Sequence, residues 1–190
     1  MTNSLETQAG KRERLVESAR SLIHEQGAHR TTLAHVAERA GVPLGNVYYY
    51  FKTKDDLVRA VLDGYADEAA VLIASFERQR TPQARLKALA RSWVEMRDAV
   101  ARHGCPMGSL CSELGKSEAA LGEEGARVLR LVVDWAEEQF RQLGRRDARD
   151  LAYTLFAGIQ GAALLANAFR EPEILSRQTR QLERWIDSLV

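Results

Sequence analysis

Apolar residues recur every three or four positions along most of the chain, and glycine or proline stands where the rhythm pauses. Leu15, Ala19, Leu22 and Ile23 share one face and predict a helix over 11–26, stopped by Gly27. Thr31-Thr32 offers hydroxyls to cap a second helix, which carries Leu33, Val36, Ala37 and Ala40 and ends at Gly41. A third, short helix is predicted from Pro43 to Phe51, with Leu44, Val47 and Phe51 inward and Gly45, Asn46, Tyr49 and Tyr50 outward. The fourth starts near Asp55 and carries Leu57, Val61, Leu62, Tyr65, Leu72 and Phe76. Beyond it the pattern predicts helices at 63–79, 82–102, 106–114, 118–143, 147–169 and 173–189. No run alternates apolar and polar residues long enough for a strand, so the fold class is all-α.

The second and third helices are joined by a tight glycine turn. A short helix leaning across another one protrudes, and the major groove of B-DNA, roughly 12 Å wide, admits one such helix. Gly41 permits a left-handed turn, Ala37 lets the two helices cross closely, and Pro43 pre-sets the first turn of the third. The same spacing also fits an ordinary helical hairpin with a solvated outer face.

The residues themselves say more. TTLAHVAERAGVPLGNVYYYFKTKDDL closely resembles the DNA-binding motif of the TetR family of bacterial transcriptional repressors. The matching positions are Thr31-Thr32, the Ala37/Ala40-Gly41-Val42 turn, Gly45, Val47-Tyr48, Phe51, Lys54 and Leu57. The resemblance implies an N-terminal three-helix helix-turn-helix domain over 9–69, with its recognition motif at 32–51, and a C-terminal helical ligand-sensing and dimerisation domain over 70–190. It implies a homodimer on palindromic double-stranded operator DNA, most simply a repressor released by a small-molecule inducer of unknown identity. By position in the motif, Thr32, Tyr48 and Lys54 are implied to reach backbone phosphates, with Tyr50 standing where a histidine is common. Base reading then falls to Leu44, Gly45, Asn46 and Tyr49; Asn46 suits adenine and Leu44 a thymine methyl. Pro43 and Leu44 depart from the family pattern, which removes a capping hydroxyl and leaves fewer polar reading groups. Tyr48 could instead pack on the helical core.

In the remainder, the stretch 147–169 is apolar on nearly every side and must be covered from two directions. The resemblance implies that it joins the amphipathic last helix in a four-helix bundle with the partner copy. Leu155, Gly158, Gly161, Ala162, Leu182 and Trp185 are the residues expected there. The alternative is that both helices close a monomer's core. A mostly apolar set (Trp93, Met96, Cys105, Met107, Leu110, Trp135, Tyr153, Phe156 and Gln160) is expected to line a pocket for a hydrophobic or aromatic inducer.

The segment HGCPMGSLCSEL over 103–114 resembles one branch of TetR-like regulators, some of which sense electrophiles or oxidants through cysteine. Cys105 stands at an expected helix start, where partial positive charge favours a thiolate. Cys111, six residues on, lies about 9 Å away along a helix, too far for a disulfide. Buried structural cysteines and a thiol sensor at Cys105/Cys111 therefore both stand as readings. A metal site with His103 lacks any usual zinc spacing, and no cofactor is implied.

Composition adds limits. The 190 residues are 45% hydrophobic and 28% charged with a net charge of +1, which excludes a disordered, collagen-like or disulfide-stapled chain. Residues 1–60 hold nine Lys and Arg against seven Asp and Glu. Arg30, Arg39, Lys52 and Lys54 face only Glu38 between positions 30 and 54, a local basic surface too weak for a general DNA-coating protein. A small helical enzyme is the other class, but no nucleophile elbow, phosphate-cradling loop or HExxH motif is present, so no catalytic residue is assigned. Thr154, Gln160 and Asn167 interrupt the Leu151–Phe169 stretch, so no membrane span is expected, and MTNSLETQAGKRER lacks the apolar core of a secretory signal. A cytoplasmic location is expected.

Overall fold

The computed structural model describes the backbone of residues 2–117 and 119–189 and the side chains of residues 10–116 and 120–189. Among the described residues the regular structure is helical: α1 (Thr2–Gln26), α2 (Leu33–Ala40), α3 (Leu44–Tyr50), α4 (Lys54–Phe76), α5 (Pro82–Glu95), α6 (Arg97–His103), α7 (Pro106–Ser117), α8 (Ala119–Gln142), α9 (Ala148–Phe169) and α10 (Glu173–Asp187). They form two compact units, Met1–Tyr65 with Ser109–Ala126, and Ala66–Gly108 with Arg127–Val190. The stretch 109–126 thus joins the first unit, although it lies far beyond the expected boundary at 69/70.

The periodicity is followed closely, but α1 begins at Thr2 and not at 11, and the helix expected at 63–79 is the second part of the continuous α4. The single helix expected over 82–102 breaks at Met96 (φ −103°, ψ 13°) into α5 and α6. No glycine or proline marks that break, so the apolar spacing runs straight through it. The helix expected from 118 is α8; residue 118 itself lies outside the described residues.

In the first unit, Leu15, Ala19, Leu22 and Ile23 of α1 are buried, with Val36 and Ala37 of α2, Val47 of α3, and Leu57, Val58, Val61 and Leu62 of α4. Each fully buried aliphatic side chain contributes on the order of 1.5–3 kcal/mol. Gly41 takes φ 63° after α2 and donates to the carbonyls of Ala37 and Glu38, which turns the chain sharply into α3. Arg39 forms two 2.9 Å hydrogen bonds with the Glu25 carboxylate and ties α2 to α1. The α7 and α8 segments of this unit approach closely through glycine: a Cβ on Gly122 would lie 3.2 Å from the Gly115 Cα.

The second unit is built around α9, whose Leu151, Ala152, Leu155, Phe156, Ile159, Ala162, Ala163 and Ala166 are buried. Its core adds Leu86, Leu89, Trp93, Phe140, Leu175, Leu182 and Ile186. Thr179 of α10 donates to the Ala90 carbonyl of α5 at 3.2 Å, which satisfies a buried hydroxyl. By length and composition α9 is apolar enough to cross a membrane, contrary to the expectation for Leu151–Phe169. Burial of one side of α9 against α10, α5 and α6 accounts for that composition.

Candidate DNA-reading face and ligand region

The recognition helix α3 has seven residues and buries one side chain of its own, Val47. Phe51 follows at its C-cap and is buried too, with the Arg12 guanidinium 5.4 Å from its ring centroid. Gly45, Asn46, Tyr48 and Tyr49 are exposed, Tyr49 at 66%, while Tyr50 is half-buried with its ring edge-to-face against Tyr49 at 5.1 Å. Leu44 was expected to face inward but is 41% exposed. It opens a helix too short to bury a second apolar turn, and it therefore joins the outer face. Pro43 supplies no side-chain cap, so α3 starts with the Asn46 N–H donating to the Pro43 carbonyl at 2.8 Å.

Around α3 stand the groups assigned to phosphate. The Thr32 hydroxyl is exposed and caps α2 by accepting the His35 N–H at 3.2 Å. Lys54, the first residue of α4, donates from Nζ to the His29 carbonyl at 3.2 Å. Lys52 donates to the Tyr48 carbonyl at 2.7 Å. Thr53 and Asp56 form a reciprocal cap at the start of α4: the Thr53 N–H donates to the Asp56 carboxylate at 3.0 Å, and the Asp56 N–H donates to the Thr53 hydroxyl at 3.1 Å. Those hydrogen bonds with Thr53, side chain first, hold the Asp56 carboxyl below its usual range.

One group escaped the sequence reading. Glu113 of α7 accepts the Ala28 N–H at 2.8 Å and also the His29 N–H, and so holds the turn between α1 and α2. A sequence separation of 85 residues leaves no local signal for this contact.

Of the nine expected pocket residues, the structure gathers some and disperses others. Trp93 and Phe156 meet edge-to-face with centroids 6.2 Å apart, and Cys105 is buried in the same core with Met107 against it. Gln160 follows Phe156 by one turn of α9 and lies against Gly108. Trp135 packs instead at a tilt against Phe76, with centroids 5.5 Å apart, and donates to Glu77 at 2.7 Å. Met96 and Tyr153 are exposed, the latter beneath the Arg149 guanidinium at 4.8 Å. Leu110 is buried in the first unit. The nine residues therefore do not form one lining. A groove of about 520 Å³ between α4 and α5 runs past Leu72, Phe76, Gln83, Lys87, Arg91 and Glu95, none of them on the expected list. Its cations are engaged, Lys87 with Asp187 and Arg91 with Glu183.

The expected dimer residues need correction. Leu155, Ala162 and Leu182 are buried within the chain and have no surface left for a partner. A Cβ on Gly158 would come 3.0 Å from Leu182 Cδ2, so this glycine serves the α9–α10 contact. Trp185 is half-buried, packed on Phe140 with centroids 5.9 Å apart. Of the six, Gly161 faces open space, on the side of α9 that also exposes Tyr153, Leu164, Leu165 and Phe169. Apolar residues all round the helix concealed which side its own chain covers.

The two cysteines are buried thiols outside any disulfide, and they fall in different units. The Cys105 sulfur accepts the Gly108 N–H at 3.4 Å in the first turn of α7, and Cys111 donates to the Gly125 carbonyl at 3.2 Å. Among the described residues no group of three or more His, Cys, Asp or Glu side chains gathers as a metal site would require.

Known proteins agree with this arrangement. Residues 15–61 match the family model described as bacterial regulatory proteins of the tetR family, and residues 82–181 match the LmrA/YxaF-like transcriptional regulator C-terminal domain. An uncharacterized HTH-type transcriptional regulator of Mycobacterium tuberculosis is 30% identical over 181 residues, covering 91% of this chain and 92% of that protein. The transcriptional regulator AcuR of Cereibacter sphaeroides is 28% identical over 90% of this chain and 82% of its own length. Among solved structures, a regulatory protein TetR from Rhodobacter sphaeroides is 26% identical, with a TM-score of 0.80 over 90% of this chain and 96% of that one. The chain belongs to the TetR family of transcriptional regulators, whose members are typically ligand-responsive repressors.

Proposed function

We propose that this regulator is a cytoplasmic repressor that grips a palindromic double-stranded operator as a homodimer and releases it when a small hydrophobic or aromatic molecule binds its second unit. The exposed face of α3 carries the reading: Leu44, Gly45, Asn46, Tyr48 and Tyr49 point outward on a helix anchored by Val47 and Phe51. Asn46 pairs with an adenine edge and Leu44 meets a thymine methyl, while Tyr48, Thr32, Tyr50 and Lys54 fix the register on phosphates. Two half-sites require two heads. The α9 side bearing Tyr153, Gly161, Leu164, Leu165 and Phe169 supports their pairing, because a row of exposed apolar side chains on one helix is costly unless covered. The ligand acts by preferring the conformation in which the heads are wrongly spaced.

Footprinting on the DNA beside the regulator's own gene tests this. A short protected palindrome supports the reading, and diffuse or absent protection contradicts it.

A further inference from the structure

Two buried donors in the second unit, Trp93 Nε1 and Gln160 Nε2, have no hydrogen-bond partner among the described residues. A buried N–H left unpaired costs about 1–3 kcal/mol, so native chains rarely keep two in one region without a use. Several contacts put them in one region. Trp93, 6% exposed, meets the Phe156 ring edge-to-face, and Gln160 lies one turn beyond Phe156 on the same face of α9. The Gln160 amide is seated by a glycine: a Cβ on Gly108 would fall 2.4 Å from Gln160 Oε1 and 3.4 Å from the Cys105 sulfur. Both unpaired atoms are donors, so what they match is an acceptor.

We propose that the ligand of this unit carries a neutral carbonyl oxygen, held jointly by Trp93 Nε1 and Gln160 Nε2, with its apolar body against Phe156 and Cys105. The proposal rests on the reading above that this unit binds a small hydrophobic molecule, and it adds the chemical class. A carbonyl oxygen has two lone pairs for two donors. A carboxylate is the poorer match, because a buried charge needs a charged partner and, among the described residues, the fully buried polar side chains of this unit are Gln139 and Thr179.

Acetophenone and α-methylstyrene share one skeleton, with C=O in the first replaced by C=CH2 in the second. Their dissociation constants, measured calorimetrically on the full chain, isolate the oxygen. Acetophenone is expected to bind on the order of tenfold more tightly, and Gln160→Leu and Trp93→Phe each to erase several-fold of that preference. Without any compound, Gln160→Leu is expected to raise Tm by roughly 2–4 °C, since it removes an unpaired donor. A structural role for the amide, paired through water, would lower Tm instead. Equal affinities for the two compounds, no binding of either, or a lowered Tm in Gln160→Leu would each overturn the proposal. Operator binding by the same sample without compound is read separately, so failure of the DNA-binding reading is distinguished from failure of this one.

Discussion

The carboxylate of Glu113 accepts the backbone N–H of Ala28 at 2.8 Å from 85 residues away in the chain. The adjacent His29 N–H donates to its other oxygen, and Lys54 donates to the His29 carbonyl at 3.2 Å. The turn leading into the helix-turn-helix is thus held by one anion and one cation. Glu113→Ala should cost about 1–3 kcal/mol in denaturant unfolding and weaken operator binding for all sequences alike. Glu113→Gln, which keeps one acceptor oxygen, should lose less. Gly27→Ala should also destabilise, because Gly27 has φ 86° and a Cβ there would lie 3.0 Å from Glu113 Oε2. Unchanged unfolding midpoints in all three variants would remove the anchoring role.

The Thr53–Asp56 cap gives a pH dependence with a definite sign. Hydrogen bonds with Thr53 lower the Asp56 carboxyl from its ordinary 3.8 in the folded chain. A depressed folded value means that its stabilisation is present above the unfolded value and lost as pH falls through the folded one. Thr53→Ala should therefore move the Asp56 titration, followed by NMR, up towards 3.8 and shrink this acid-sensitive part of the stability. No movement would separate the cap from the shift.

On the reading face, Tyr48→Ala and Lys54→Ala should weaken binding to every sequence, and Lys54→Ala should also reduce the salt slope by about one. Asn46→Ala should instead relax preference at one or two positions in each half-site, with a loss on the order of 1–3 kcal/mol for the preferred operator. Lys54 already contacts His29, so its variant should be checked for an intact fold by melting. A Lys54→Ala protein with unaltered affinity and salt dependence would contradict the phosphate role.

Assembly is tested on the outer side of α9. Leu164 is 68% exposed and a Cβ on Gly161 meets nothing within 4 Å, so neither site is filled by the chain itself. Gly161→Arg and Leu164→Glu should leave the monomer folded, convert dimers to monomers in light scattering, and abolish palindrome protection. A folded monomeric variant that still protects both half-sites would break the link between pairing and binding.

How far the sequence revealed this molecule depended on the range of each interaction. Helix phases, the Gly41 turn and the outward Asn46 and Tyr49 were legible because period and punctuation are local. The Met96 break was not, since no residue type marks it. The buried side of α9 was hidden because its apolar residues encircle it, and Leu155, Ala162 and Leu182 proved to belong to the chain's own core. Residues 93, 105, 156 and 160 assembled in one region, whereas Met96 and Tyr153 lie at the surface, a distinction that turns on which helices pack together. Glu113 reads as an ordinary helical carboxylate until the turn it holds is seen.

The central claim is that α3, presented twice by a homodimer, reads a two-fold symmetric site. DNase footprinting of wild type and Asn46→Ala on the DNA flanking the regulator's gene, at fixed salt, tests it most directly. The account requires a short protected palindrome with half-sites spaced by about one or two helical turns of DNA, and altered discrimination within each half-site for the variant. Protection that spreads evenly with concentration, or is identical for both proteins on every sequence, would contradict it.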